Sequence, residues 1–141
     1  MQSNLTNALI KAGVVSFTDE AKRPKAGYPL ALVSSDGISF KVQLATSNTD
    51  QLVGVFAPGS FSSDNGSKIN VVMNNAVVDA YIAGSQTDIA FGTELTASSN
   101  GGYVAAASGK IVNAILMQQH TQDASQADKI AKVAVCLPYT K

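Results

Sequence analysis

The feature that most constrains this chain is a two-residue alternation between Ile38 and Leu44. Ile38, Phe40, Val42 and Leu44 alternate with Ser39, Lys41 and Gln43, which puts four apolar side chains on one face of an extended strand. Tyr28–Val33 is a second extended run. Ser34-Ser35-Asp36-Gly37 joins the two as a hairpin, because Asp-Gly supplies the positive φ of a tight hairpin turn. Pro29, which has no backbone N–H, is expected at a sheet edge.

The same cadence continues through Gln51–Phe56, Lys68–Met73, Ala76–Ala83, Glu94–Ala97, Tyr103–Ala107, Lys110–Gln118 and Lys129–Leu137. Pro58-Gly59, Asp64-Asn65-Gly66, Asn74-Asn75, Gly84-Ser85, Ser108-Gly109 and Gln122–Asp128 punctuate it. In the last run Ala131, Val133, Val135 and Leu137 share one face, with Lys132, Ala134 and Cys136 on the other. Many short strands rich in Val and Ile predict an all-β fold, a small sandwich or barrel of antiparallel strands and hairpins over residues 28–141. Residues 1–27 read differently. Leu5, Ala8, Leu9 and Ala12 have helical spacing before Gly13, and Asp19–Lys25 carries five of the twenty charges around Pro24. This segment is expected to be an N-terminal arm, a short helix followed by an extended piece.

Charged residues are 14% of the 141, with ten Lys plus Arg against ten Asp plus Glu. A zero net charge gives no electrostatic footprint for nucleic acid or anionic lipid, and it protects poorly against self-association. No run reaches the 18 or so apolar residues of a membrane span, and MQSNLTNALIKAGVV lacks the basic start of a secretory signal. A soluble protein made and used inside a cell is expected, with no nucleic-acid or membrane partner. The single cysteine, Cys136, fits a reducing cytoplasm.

Candidate chemistry is sparse. Ser98-Ser99-Asn100-Gly101-Gly102 is followed by a strand, whereas a phosphate-cradling loop leads into a helix; a hairpin corner is expected. A Cys136 nucleophile with His120, the only histidine, as base needs the last two strands to be neighbours facing the same way. The competing expectation is an exposed His at a strand end and a buried or half-buried Cys. Asp36, Asp50, Asp64, Asp88, Asp123 and Asp128 sit in turn contexts, Asp79 and Glu94 in strands. Asp64-Asn65-Gly66 is only a fragment of a calcium loop. With no Trp there is no aromatic platform. The expectation is no enzyme, no cofactor and no metal.

Ile69–Leu116 resembles the small capsid decoration, or cement, proteins of tailed bacteriophages. The resemblance rests on Gly92-Thr93-Glu94-Leu95, the turn Ser98–Gly102, the alanines Ala105–Ala107 and Gly109-Lys110-Ile111-Val112. It covers about the middle third of the chain, and the last strand more loosely. It implies a β-rich domain, commonly a homotrimer, on the outer capsid surface of the virion, made in the host cytoplasm and clamping major capsid protein subunits after head expansion, with no catalytic residues. The arm then supplies the candidate capsid contacts: Leu5, Leu9, Val14, Val15 and Phe17 as apolar anchors, and Lys22, Arg23 and Lys25 as polar ones. A receptor-binding or adhesion module of a tail spike or fibre is the alternative, and a start at Met1 without an attachment stalk counts against it.

Overall fold

The computed structural model describes residues 8–35, 40–46, 51–57, 62–123 and 127–141. Leu5, Asp36-Gly37, Ile38, Asp50 and Pro58-Gly59 lie outside the described residues. Among the described residues there are twelve strands: β1 Leu9–Val15, β2 Pro29–Ser35, β3 Phe40–Leu44, β4 Leu52–Phe56, β5 Lys68–Asn74, β6 Ala76–Ile82, β7 Asp88–Ile89, β8 Glu94–Ala97, β9 Tyr103–Ala105, β10 Ile111–Leu116, β11 His120–Thr121 and β12 Lys129–Thr140. The fold is all-β, as expected, but with two closed barrels. One runs β1-β3-β2-β4-β5, the other β10-β12-β6-β9-β8, and β7 and β11 form a separate two-stranded ribbon. Neighbours are antiparallel except β1 with β3 and β6 with β9.

The alternation read from the sequence points where the cores are. Val42 and Leu44 on β3 are buried, as are Ala131, Val133 and Val135 on β12. Leu137 leaves its face and is 53% exposed. Val112 pairs with Tyr139 but Ala114 with Val135, so Cys136, Leu137 and Pro138 stand opposite the single residue Asn113. Such a bulge re-aims side chains and accommodates a proline, which has no N–H for the ladder. Pro29 is not at an edge, because β2 lies between β3 and β4. It is the first residue of its strand, where a missing N–H is also tolerated.

The arm expected over residues 1–27 needs correction from Leu9 onward. No helix forms at Leu9–Ala12. Instead Lys11 pairs with Val71 and Gly13 with Ile69 on β5, and Val14 and Val15 run parallel to Lys41 and Val42 on β3. A twelve-residue uncapped helix is marginal alone, while two strands supply a ready set of hydrogen-bond partners. Beyond β1, Phe17 N–H donates to Asn65 Oδ1 at 3.0 Å, and a single 3-10 turn over Glu20–Lys22 is capped by Asp19. Arg23 then ties that turn to Glu20 at 2.6 Å and to Asp64 at 2.5 Å. The segment is stitched to the first barrel.

The barrels also share a core. Val55, Ala57 and Val72 from the first pack with Ile82, Leu95, Tyr103, Leu116 and Val133 from the second. Each fully buried aliphatic side chain of this size contributes about 1.5–3 kcal/mol. Asn75, with φ 57, turns the chain from β5 into β6. Across the junction, Tyr81 N–H donates to the Gly27 carbonyl at 2.9 Å, and Tyr28 stacks on Tyr81 with ring centroids 4.9 Å apart. Asp128 closes the join, accepting from Tyr28 Oη at 2.5 Å and from Gly84 N–H at 2.9 Å.

Candidate functional site

The glycine-containing loop is a corner. Ala97 pairs with Tyr103 across it, Ser98 N–H donates to the Gly102 carbonyl at 2.9 Å, and both glycines adopt positive φ, 87° and 76°. A Cβ on Gly101 would meet the Tyr28 ring at 3.4 Å, so its backbone serves packing between the barrels.

His120 and Cys136 stand apart in role. His120 is buried, not exposed as expected, and its Nε2 is bonded to Gln122 Oε1, while Gln122 Nε2 donates to the Ala83 carbonyl. His120 pairs with Ile89 in the two-stranded ribbon with β7, a pairing too short to see in the sequence. Cys136 is half-buried; burial pushes its thiol up, and the Glu94 carboxylate adds to that shift. Glu94 itself binds Tyr139 Oη. No hydrogen bond joins His120 to Cys136 among the described residues. In the calcium-loop fragment, Asp64 Oδ1 accepts from Arg23 and Asn65 Oδ1 from Phe17 N–H. Among the described residues no three His, Cys, Asp or Glu side chains are grouped to hold a metal ion.

A cleft of about 590 Å3 lies at the barrel junction and is lined by Lys25, Ala26, Tyr28, Tyr81, Ala127 and Asp128. Tyr28 and Asp128 are bonded within the fold. Both Asp128 oxygens accept hydrogen bonds, and Lys25 Nζ lies 5.7 Å over the Tyr28 ring. Burial, with Asp128 second, holds the Tyr28 phenol well above its ordinary value.

Apolar side chains are exposed at several places among the described residues, including Leu9 and Ile10 on β1, Val77 on β6 and Ile130 and Leu137 on β12, and two further apolar features went unseen in the sequence. A groove of about 330 Å3 runs between the barrels, lined by Gln51, Leu52, Val53, Met73, Ile111, Pro138, Tyr139 and Thr140. The β12 bulge builds one wall of it. The other surface is Phe91, at 63% the most exposed large apolar side chain among the described residues, with Met117 exposed as well. Phe91 caps a tight turn. Thr93 donates to the Ala90 carbonyl from N–H at 3.1 Å and from Oγ1 at 2.7 Å, Gly92 has φ 90, and Gly92 N–H donates to the Leu116 carbonyl at 2.7 Å. Positive φ at the third residue and an i to i+3 bond are the marks of a type II turn. Phe-Gly-Thr was the one sequence signal for it.

The arm candidates are dispersed. Val15 is 1% exposed, and Phe17 packs partly on the first barrel's core, with the Arg23 guanidinium 5.0 Å from its ring centre. Those two and Arg23 are committed to the fold. Val14 is half-buried within β1; Leu9, Lys22 and Lys25 are presented to solvent. Leu5 is outside the described residues.

No family model and no curated protein matches the chain. Among solved structures, the head fiber gp8.5 N base in bacteriophage phi29 matches with a TM-score of 0.53 and 18% sequence identity, over 92% of this chain and 94% of that one. The two chains share a fold from end to end.

Proposed function

We propose that this chain is a structural protein of a phage virion, a capsid decoration protein that sits on the outer surface of the expanded head and stabilises it. The end-to-end fold likeness to a head fiber base carries this reading. The surface agrees with it: large apolar side chains, among them Phe91, Val77, Leu137 and Ile10, are exposed, and an apolar groove runs between the barrels. The partner is the major capsid protein, copies of the chain associate with one another as a homotrimer, and the chain has no catalytic role. The mechanism is linkage: a ligand that binds the assembled, expanded shell more tightly than its parts stabilises that shell by mass action. With no net charge, binding depends weakly on salt.

Co-sedimentation with undecorated expanded heads and with unexpanded proheads tests it. Saturable binding to expanded heads at a fixed ratio to the capsid subunit, with a rise in their melting temperature, is expected. Binding to neither shell overturns the reading. Because the neighbour is the base of a fiber, a second reading has this domain seat a projecting part on the head; binding that leaves the melting temperature of the heads unchanged favours it.

A further inference from the structure

We infer that a polar cleft on the first barrel, centred on Lys22, binds an anionic polyol: a sugar unit that carries a carboxylate or a phosphate. This goes beyond the proposed function and does not depend on it. The cleft, about 200 Å3, lies where the chain leaves β1, enters the 3-10 turn and meets β3. Ser16, Thr18, Gln43 and Thr46 line it with hydroxyls and an amide, Lys22 supplies the charge, and Phe17 and Leu44 the apolar part. A second hollow of about 240 Å3 shares Lys22, Leu44 and Thr46 with it and continues to Ser99 and Asn100, on the hairpin corner of the second barrel. Lys22 thus stands between two polar hollows.

The donor set selects the occupant. Neither lining contains Asp or Glu, so neither offers the carboxylates that a hard cation takes. Ammonium, hydroxyl and amide NH2 groups all donate, which matches an oxyanion, and the hydroxyls and amide carbonyls also accept, which matches the hydroxyls of a sugar. These groups are not spent on the fold. Among the described residues nothing pairs with the side chains of Ser16, Thr18, Lys22 or Gln43. The acids beside Lys22 in the chain are engaged elsewhere: Glu20 gives both oxygens to Arg23, at 2.6 and 2.9 Å, and Asp19 Oδ1 accepts from Ala21 N–H at 3.1 Å.

The barrel wall beside the cleft carries the same sign of charge. Strands β1 to β5 hold Lys11, Lys41 and Lys68 and no Asp or Glu. Val14 stands between Lys41 and Lys68 in the sheet, and Lys41, two residues before Gln43, shares its strand face. A surface of one sign concentrates an oppositely charged ligand, here on a chain whose net charge is zero. Size narrows the choice further. Drug-sized ligands fill about 300 Å3 or more, and each hollow is smaller, fit for a single sugar ring or its charged substituent.

The test is a titration of the 15N-labelled full chain with glucuronate, glucose 6-phosphate and uncharged glucose, followed by amide chemical shifts. A ligand of this size is expected to bind at about 1 mM. One or both acidic sugars should give saturable shifts at Ser16, Thr18, Lys22, Gln43, Ser99 and Asn100, and glucose none there. A response to glucuronate alone assigns a carboxylate ligand, and to glucose 6-phosphate alone a phosphate one. Lys22→Gln removes a charge-assisted hydrogen bond and should weaken binding by about tenfold or more. Its melting temperature should be unchanged, because Lys22 is exposed and pairs with nothing in the described fold. Lys22→Arg keeps the charge and should keep most of the affinity. The inference is overturned if neither acidic sugar shifts these amides, if glucose shifts them equally, or if Lys22→Gln binds as tightly as the wild type. Each of those results leaves the shell reading standing, since co-sedimentation with heads measures it separately.

Discussion

Replacing Gly54 by alanine should damage this fold more than the same change at Gly109. Gly54 lies inside β4, on the wall the two barrels share, between Val53 and Val55. A Cβ there would run into the Val72 carbonyl oxygen of β5 and come within 2.6 Å of Val71 Cγ1. Overpacking costs about 1–3 kcal/mol where side chains can yield. Here the obstacle is backbone in a closed barrel, so the cost falls at the upper end, about 3 kcal/mol. At about 2–4 °C per kcal/mol for a chain near this size, the melting temperature drops by about 6–12 °C. Gly109→Ala is the control. Its φ is +86, yet a Cβ there has nothing within 4 Å, so only the left-handed backbone penalty of about 1 kcal/mol applies. Thermal unfolding followed by circular dichroism compares the two. If Gly54→Ala loses no more than Gly109→Ala, close approach of β4 and β5 is not what requires glycine there.

Three further outcomes are expected. Thr96 is buried and its Oγ1 has no hydrogen-bond partner among the described residues, so Thr96→Val should leave the melting temperature unchanged or raise it; a loss of several degrees would show that the hydroxyl is bonded. Asn75 holds φ 57 at the corner between β5 and β6; Asn75→Gly should be tolerated, whereas Asn75→Val should cost about 1–2 kcal/mol in urea unfolding, and equal effects would contradict the strain argument. Burial raises the phenols of Tyr28 and Tyr103 above their ordinary 10.0, with Asp128 adding at Tyr28 and the Asn113 bond opposing at Tyr103. The native state then keeps protons the unfolded chain releases. Their contribution is complete below pH 10 and is lost as pH climbs through the raised values. Urea midpoints should fall between pH 9 and 11, about one unit either side of the free phenol, and fall less in the Tyr28→Phe, Tyr103→Phe double variant; an equal fall in both would refute the assignment.

How much of the molecule the chain announces depends on the range of each interaction. The inward faces of β3 and β12, the hairpin at Ser98–Gly102 and the alternation of strands with turns were legible, because a period of two and a glycine with positive φ are local properties. β1 was not. Leu9 and Ala12 have helical spacing, and only β3 and β5, brought in from dozens of residues away, decide for a strand over Leu9–Val15. The division into two barrels rests on the parallel closures at Val14–Lys41 and Ile82–Tyr103, which leave no signature in either partner alone. Leu137 belonged by period to the core, and the bulge opposite Asn113 turned it to solvent. His120 looked like a strand end until the β7 ribbon covered it. The surfaces that bear on function fall in the same class: Phe91 reads as part of an apolar run, and the groove draws Leu52, Met73, Ile111 and Tyr139 from four strands. Local pattern determined that this protein is all-β and where most strands lie; pairing over long separations decided which apolar side chains were buried and which were left for a partner.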